Sequence, residues 1–154
     1  MGIAEFLRDA TNVRQINAAI RRALELRRLG DGRMARILVV DDDPLIRRML
    51  ERTLSGAGHV VLCATQGQDA LQVLGSESQV DLVITDIDVP EIDGLQIIAA
   101  LRRDKNPIPI LAISARSGRD SWLNMASAFG ADRTLLKPFD LRQLLDTVHE
   151  LVPH

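Results

Sequence analysis

Five short apolar runs, separated by stretches with a helical period, constrain the fold more than any other feature of these 154 residues. The runs are ILVV (37–40), VVLCA (60–64), DLVIT (81–85), IPILAIS (108–114) and RTLLK (133–137). They hardly alternate between apolar and polar, the pattern of strands covered on both faces and hence of a parallel sheet. Between them, apolar residues recur three and four apart: Leu45, Met49, Leu50 and Leu54; Ala70, Leu71 and Leu74; Leu95, Ile98 and Leu101; Trp122, Met125 and Phe129; Leu141, Leu144, Leu145 and Val148. Five strands alternating with five helices predict a doubly wound α/β sheet.

Start and stop signals agree with these boundaries. Pro44 suits a first helical position, with Asp43 ahead of it as an outward-facing N-cap, and Gly56 and Gly58 close that helix. Asp140 is an N-cap for the last helix, and NPIP from Asn106 introduces the fourth strand. Composition fits one globular domain, at 46% apolar and 26% charged residues. The single Cys63, inside an apolar run, reads as a packed thiol in a reducing compartment, so a cytoplasmic protein is expected. No apolar run approaches the ~18 residues of a membrane span. The first residues lack the order of a signal peptide, and Phe6 stands where a myristoylation signal needs Ser or Thr.

In a doubly wound sheet, ligands bind beyond the carboxyl ends of the strands. The first strand runs straight into Asp41, Asp42 and Asp43, the third ends in Asp86, the fourth in Ser114 and the fifth in Lys137, one of only two lysines. Neighbouring carboxylates at ~4 Å repel by ~1 kcal/mol in water and ~4 kcal/mol at a partly buried site, so something must offset the repulsion. Two or three carboxylates converging on one edge make a hard, oxygen-rich site suited to Mg²⁺ with room for a phosphate ligand. Solvated acids would explain an isolated DDD, but not a convergent fourth carboxylate, hydroxyl and lysine. His59, His149 and His154 have no metal-ligand spacing and read as surface or boundary residues, while Trp122 fits either a core or a partner contact. No Ser-His-Asp order, glycine-rich phosphate loop or Cys-x-x-Cys pair is present.

In order and spacing, ILVVDDDP, DLVITDIDVPEIDGLQII, IPILAISA and LLKPF resemble the receiver domain of two-component response regulators. The resemblance covers about residues 35–152 and implies a flavodoxin-like five-stranded parallel sheet, order 2-1-3-4-5, with five flanking helices. It further implies that Asp86 accepts a phosphoryl group from a histidine kinase or histidine phosphotransfer protein. Asp41, Asp42 and the backbone carbonyl of Asp88 would hold Mg²⁺, and Ser114, Ala115 and Lys137 would bind the phosphoryl group. Asp88 and Arg116 stand at places that tune the lifetime of the aspartyl phosphate. Three departures are visible: Asp88 adds an acid, Val89 replaces the usual Met, and Thr134 stands where receivers often carry a switching Tyr or Phe. The Lys137–Pro138 bond is commonly cis in that family.

Residues 1–33 form a separate N-terminal helical extension, ahead of a receiver domain at 34–154. The first 35 residues hold seven arginines against four acids, and the remainder twelve bases against seventeen acids. Arginines interleaved with acids read as a solvated face, so nucleic-acid binding is not expected. Asn12 and Gln15 have capping-box spacing, and Gly30 closes a helix. Ile3, Phe6, Ala10, Val13, Asn17, Ile20 and Leu24 fall at coiled-coil intervals, which predicts either a homodimer through residues 3–29 or packing of the extension on the receiver. Met34 is an alternative natural start. A chain ending at His154 predicts output through contact with a downstream protein. The alternative is a scaffold that acts through its N-terminal helices and keeps a vestigial acidic site. An aspartyl phosphatase fits less well, because the motifs that should follow Asp41 and Asp43 are missing.

Overall fold

The computed structural model describes residues 34–76, 79–87, 94–115 and 122–152, together with Asn17 and Arg21, which are helical and exposed. From residue 34 on, the described residues form ten alternating elements: β1 (Arg36–Val40), α1 (Pro44–Gly56), β2 (Val60–Ala64), α2 (Gly67–Ser76), β3 (Leu82–Asp86), α3 (Gly94–Arg103), β4 (Ile110–Ser114), α4 (Trp122–Phe129), β5 (Arg133–Leu136) and α5 (Leu141–Leu151). All neighbouring strands are parallel, as the apolar pattern predicts, and the sheet order is β2-β1-β3-β4-β5, as the resemblance implies. The coiled-coil seam apart from Asn17, the Asn12–Gln15 box, Gly30, Asp88, Val89, Arg116 and His154 lie outside the described residues, as does the side chain of Trp122.

The period of two in a strand sorts the core onto the two faces of the sheet. Ile37, Val39, Ile84, Leu111, Ile113 and Leu135 pack with Ile46, Leu50 and Leu54 of α1 and Leu141, Leu144 and Val148 of α5. Leu38, Val40, Val83, Ile110 and Ala112 face the other way, against Ala70 of α2, Leu95, Ile98 and Leu101 of α3 and Ala126 of α4. Each fully buried Leu or Ile contributes roughly 1.5–3 kcal/mol by leaving water, so these two layers hold the strand ends in place. The caps act locally: the Asp43 side chain accepts from Leu45 N, the Asp140 side chain from Arg142 N, and Gly58 takes a left-handed φ of 100° just after α1.

Three expectations from the apolar pattern are corrected. The β3 and β4 strands are buried throughout, but β2 is a sheet edge, and its Val60 and Cys63 are exposed. Cys63 is therefore not a packed core thiol. Leu45, expected on the apolar stripe of α1, is 49% exposed. On α4, Met125 and Phe129 face solvent, and Ala126 makes the contact with the sheet. His59 is a boundary residue as expected, its Nδ1 accepting from Ala35 N at 3.1 Å.

Candidate phosphoacceptor and metal site

The acidic residues meet because β1 and β3 are neighbours in register, Val40 opposite Thr85, so that Asp41 and Asp86 leave the sheet side by side. Asp41 is buried at 1% exposure, Asp86 at 7%, and Asp42 faces outward. One carboxylate oxygen from each of Asp41, Asp42 and Asp86 lies within 4.8 Å of the others. The Asp41 backbone is held on both sides, its N–H donating to Ala64 O at 3.2 Å and its carbonyl accepting from Arg47 at 2.9 Å. Its Oδ1 accepts from Asp43 N at 2.9 Å, which leaves Oδ2 turned toward the site.

Lys137 answers the repulsion in the protein itself. Its Nζ donates to Asp41 Oδ2 at 3.1 Å and to Asp86 Oδ2 at 2.9 Å, from a stem only 9% exposed. The Lys137 N–H is anchored on Ser114 O at 2.8 Å, and the peptide bond to Pro138 is cis. Burial by itself lowers the lysine, but the carboxylates of Asp41 and Asp86 outweigh it and hold Nζ above its usual pKa. Burial also pushes Asp41 up to about 6, with Lys137 opposing and Asp86 adding to the rise. Ser114 is fully buried at the end of β4, Ala115 beside it is exposed, and Thr134 is half-buried on β5 opposite Ala112.

The donor set fits a small divalent cation. Three carboxylates converge, one of them on the open side, and every available ligand atom is a hard oxygen, the preference of Mg²⁺. Two contributors escaped the sequence reading. Arg47, one turn into α1, fixes the Asp41 carbonyl, and a basic residue just after the acidic run was the available signal. Gly94 opens α3 against the end of β3, where an added Cβ would lie 2.5 Å from Ile87 Cα and 2.7 Å from Asp86 O. The Asp-Gly step at Asp93 was its signal.

A doubly wound sheet that carries clustered carboxylates and a bridging lysine at its carboxyl edge defines an α/β protein with its charged groups gathered where such sheets bind ligands. Residues 37–149 match the family described as response regulator receiver domain, and the chain belongs to it. It is 39% identical over 117 residues to the transcriptional regulatory protein PrrA of Mycobacterium tuberculosis, covering 76% of this chain and 49% of that one. Response regulator MprA of Mycolicibacterium vanbaalenii is also 39% identical over 117 residues, with 76% and 50% covered. The chain thus spans about half the length of these curated relatives. Among solved structures it resembles response regulator TrrA of Thermotoga maritima in complex with Mg²⁺ and BeF, at 36% identity and a TM-score of 0.69, covering 77% of this chain and all of that one. Chemotaxis protein CheY4 of Vibrio cholerae is 31% identical, with a TM-score of 0.68, covering 78% of this chain and 100% of its own.

Proposed function

We propose that this chain acts as the receiver of a response regulator, a cytoplasmic phosphoacceptor that takes a phosphoryl group from a histidine kinase or histidine phosphotransfer protein on Asp86 and signals by protein contact. The observation that carries this reading is the Lys137 ammonium bridging Asp41 and Asp86, with Asp42 on the open side. A carboxylate oxygen of Asp86 attacks phosphorus in line, the P–N bond to the donor imidazole breaks, and the imidazole leaves carrying that electron pair and a proton. Lys137 pairs with the phosphoryl oxygens that arrive, a role suited to a flexible cation. Asp41, Asp42 and Asp86, joined by the Asp88 carbonyl, would hold Mg²⁺, which when bound supplies charge against the phosphoryl oxygens. Ser114 and the Ala115 N–H bind a phosphoryl oxygen, and Asp88 and Arg116 set the lifetime. With Thr134 in place of an aromatic ring, the conformational response rests on Ser114 and its loop.

Incubation with acetyl phosphate and Mg²⁺ followed by intact mass tests the reading. One added phosphoryl group that disappears in Asp86→Asn is expected, and labelling that survives the substitution overturns the assignment. A chain that never labels supports the scaffold alternative. For the extension we propose pairing with a second copy through residues 3–29, with packing on the receiver as the alternative that monomers in both measurements would support. A dimer of the full chain in sedimentation, and a monomer for a chain beginning at Met34, is the expected result. The relatives named as transcriptional regulators are longer, and the proposal of no nucleic-acid contact concerns these 154 residues alone.

A further inference from the structure

Thr85 stands directly before Asp86 and is fully buried. The period of two puts it on the face of β3 that carries Val83, level with Val40 of β1 and Ala112 of β4. The layer covering that face is apolar, with Ala70 of α2 and Leu95 and Ile98 of α3. Valine has the shape of threonine and brings no hydroxyl that must leave water, so packing alone does not call for a threonine here. The hydroxyl has a use of another kind. Thr85 Oγ1 donates to Asp86 O at 3.0 Å, the carbonyl of the proposed phosphoacceptor.

That bond completes the fixing of one peptide unit. The N–H of the Asp86–Ile87 peptide donates to Ile113 O of β4 at 3.0 Å, and its carbonyl accepts from Thr85. Gly94 closes the same place from α3, since a Cβ there would lie 2.7 Å from Asp86 O, and the Gly94 N–H donates to Ile87 O at 3.3 Å. Asp86, the last residue of β3, is thus held on both sides, by the sheet before it and by this peptide after it. Because the bonds at a Cα are tetrahedral, a backbone fixed at N and at C leaves the Cβ one direction in which to point. For Asp86 that direction brings Oδ2 to 2.9 Å from Lys137 Nζ and a carboxylate oxygen within 4.8 Å of those of Asp41 and Asp42.

We propose that Thr85 is a positioning residue for the phosphoacceptor: its hydroxyl pins the Asp86–Ile87 peptide and thereby aims the Asp86 carboxylate. The proposal rests on the phosphoacceptor reading for its consequence, whereas the pinned peptide is independent of that reading. In-line attack tolerates little error in the position of the nucleophile, a misplacement of about 1 Å costing up to ~10²-fold in rate. Freeing the peptide at one of its two anchors is therefore expected to slow phosphorylation about tenfold. A threonine that merely fills its place in the apolar layer predicts the reverse ordering, with Thr85→Val harmless and Thr85→Ser the worse variant for its missing methyl.

These two variants of the full chain separate the roles. Phosphorylation by acetyl phosphate at saturating Mg²⁺ is followed by intact mass, amide hydrogen exchange by nuclear magnetic resonance, and stability by urea unfolding. Thr85→Val is expected to be phosphorylated about tenfold more slowly and to exchange the Ile87 N–H about tenfold faster. The Val83 N–H, bonded to Pro109 O near the other end of β3, should exchange as in the parent, and the urea midpoint should be no lower. Thr85→Ser keeps the hydroxyl and should restore both rate and protection, even where its lost methyl lowers the midpoint. Ile87 exchange unaltered by Thr85→Val overturns the proposal, as does an unaltered phosphorylation rate or a Thr85→Ser variant as slow as Thr85→Val. Thr85→Ala, which also lacks the hydroxyl, serves as the second variant if Thr85→Val does not fold. A parent that takes no label counts against the phosphoacceptor reading instead, and the Ile87 exchange in parent and variants then decides whether the hydroxyl holds the peptide.

Discussion

Replacing Lys137 by Met removes the cation that bridges two buried carboxylates and keeps an unbranched stem in its channel. Carboxylate oxygens of Asp41 and Asp86 come within 4.8 Å, and at an effective dielectric of ~20 unit charges at that separation repel by ~3.5 kcal/mol. Breaking a buried ion pair by deleting one partner costs about 3–5 kcal/mol in general, so a loss near 3 kcal/mol is expected at pH 8 without metal. The pH dependence carries a definite sign. Asp41 already stands at about 6 against 3.8 for a free side chain, and losing Lys137 removes the main influence that opposes the rise. A carboxyl with a raised folded-state pKa binds its proton more tightly when folded. The penalty is therefore fully present above that value, shrinks as pH falls through it, and is gone below the unfolded value. Urea unfolding of parent and variant at pH 8, 6 and ~4 measures the difference, and Mg²⁺ at pH 8 should recover part of it. A variant as stable as the parent at pH 8 refutes the reasoning. A loss that is the same at every pH would place the cost in stem packing.

Three further outcomes follow from the packing. Gly94→Ala forces a Cβ against the backbone of Ile87 and Asp86, so phosphorylation by acetyl phosphate should slow at least several-fold while the circular dichroism spectrum persists; an unchanged rate would show that α3 yields easily. Burial, and then the charge of Glu51, raise the Cys63 thiol above its ordinary pKa, so Glu51→Gln should speed its alkylation by iodoacetamide at pH 8, and an equal or slower rate removes Glu51 as a cause. Leu144 is fully buried between α5 and the sheet, and Leu144→Ala should cost about 2–5 kcal/mol in urea unfolding, with less than 1 kcal/mol indicating a site that collapses freely.

The parts of this molecule that were legible in sequence are those a short repeat can encode. A parallel sheet puts the ends of its strands on one edge, so Asp41, Asp42, Asp86, Ser114 and Lys137 could be gathered without coordinates. What escaped depends on neighbours that no local pattern names. VVLCA has the composition of an interior strand, and only its place at the border leaves Val60 and Cys63 exposed. Spacing by three and four finds a stripe on α4 but not its direction, and there the sheet accepts Ala126 and leaves Met125 and Phe129 in water. Arg102 is named by no local pattern, because its partners Asn106, Ile108, Gly130 and Asp132 lie in two different loops.

The Lys137 ammonium reaches back 96 positions to Asp41 and 51 to Asp86. Contacts of such sequence separation form slowly, since most of the chain must be ordered before its ends can meet. During synthesis the two aspartates emerge long before the lysine, and long before β5, which positions it. A chain released before position 137 holds every acidic residue of the site and lacks the counter-charge that lets them sit together. The proposed phosphoacceptor site is thus coupled to completion of the fold, and a partly made copy holds the converging carboxylates without the ammonium that bridges them.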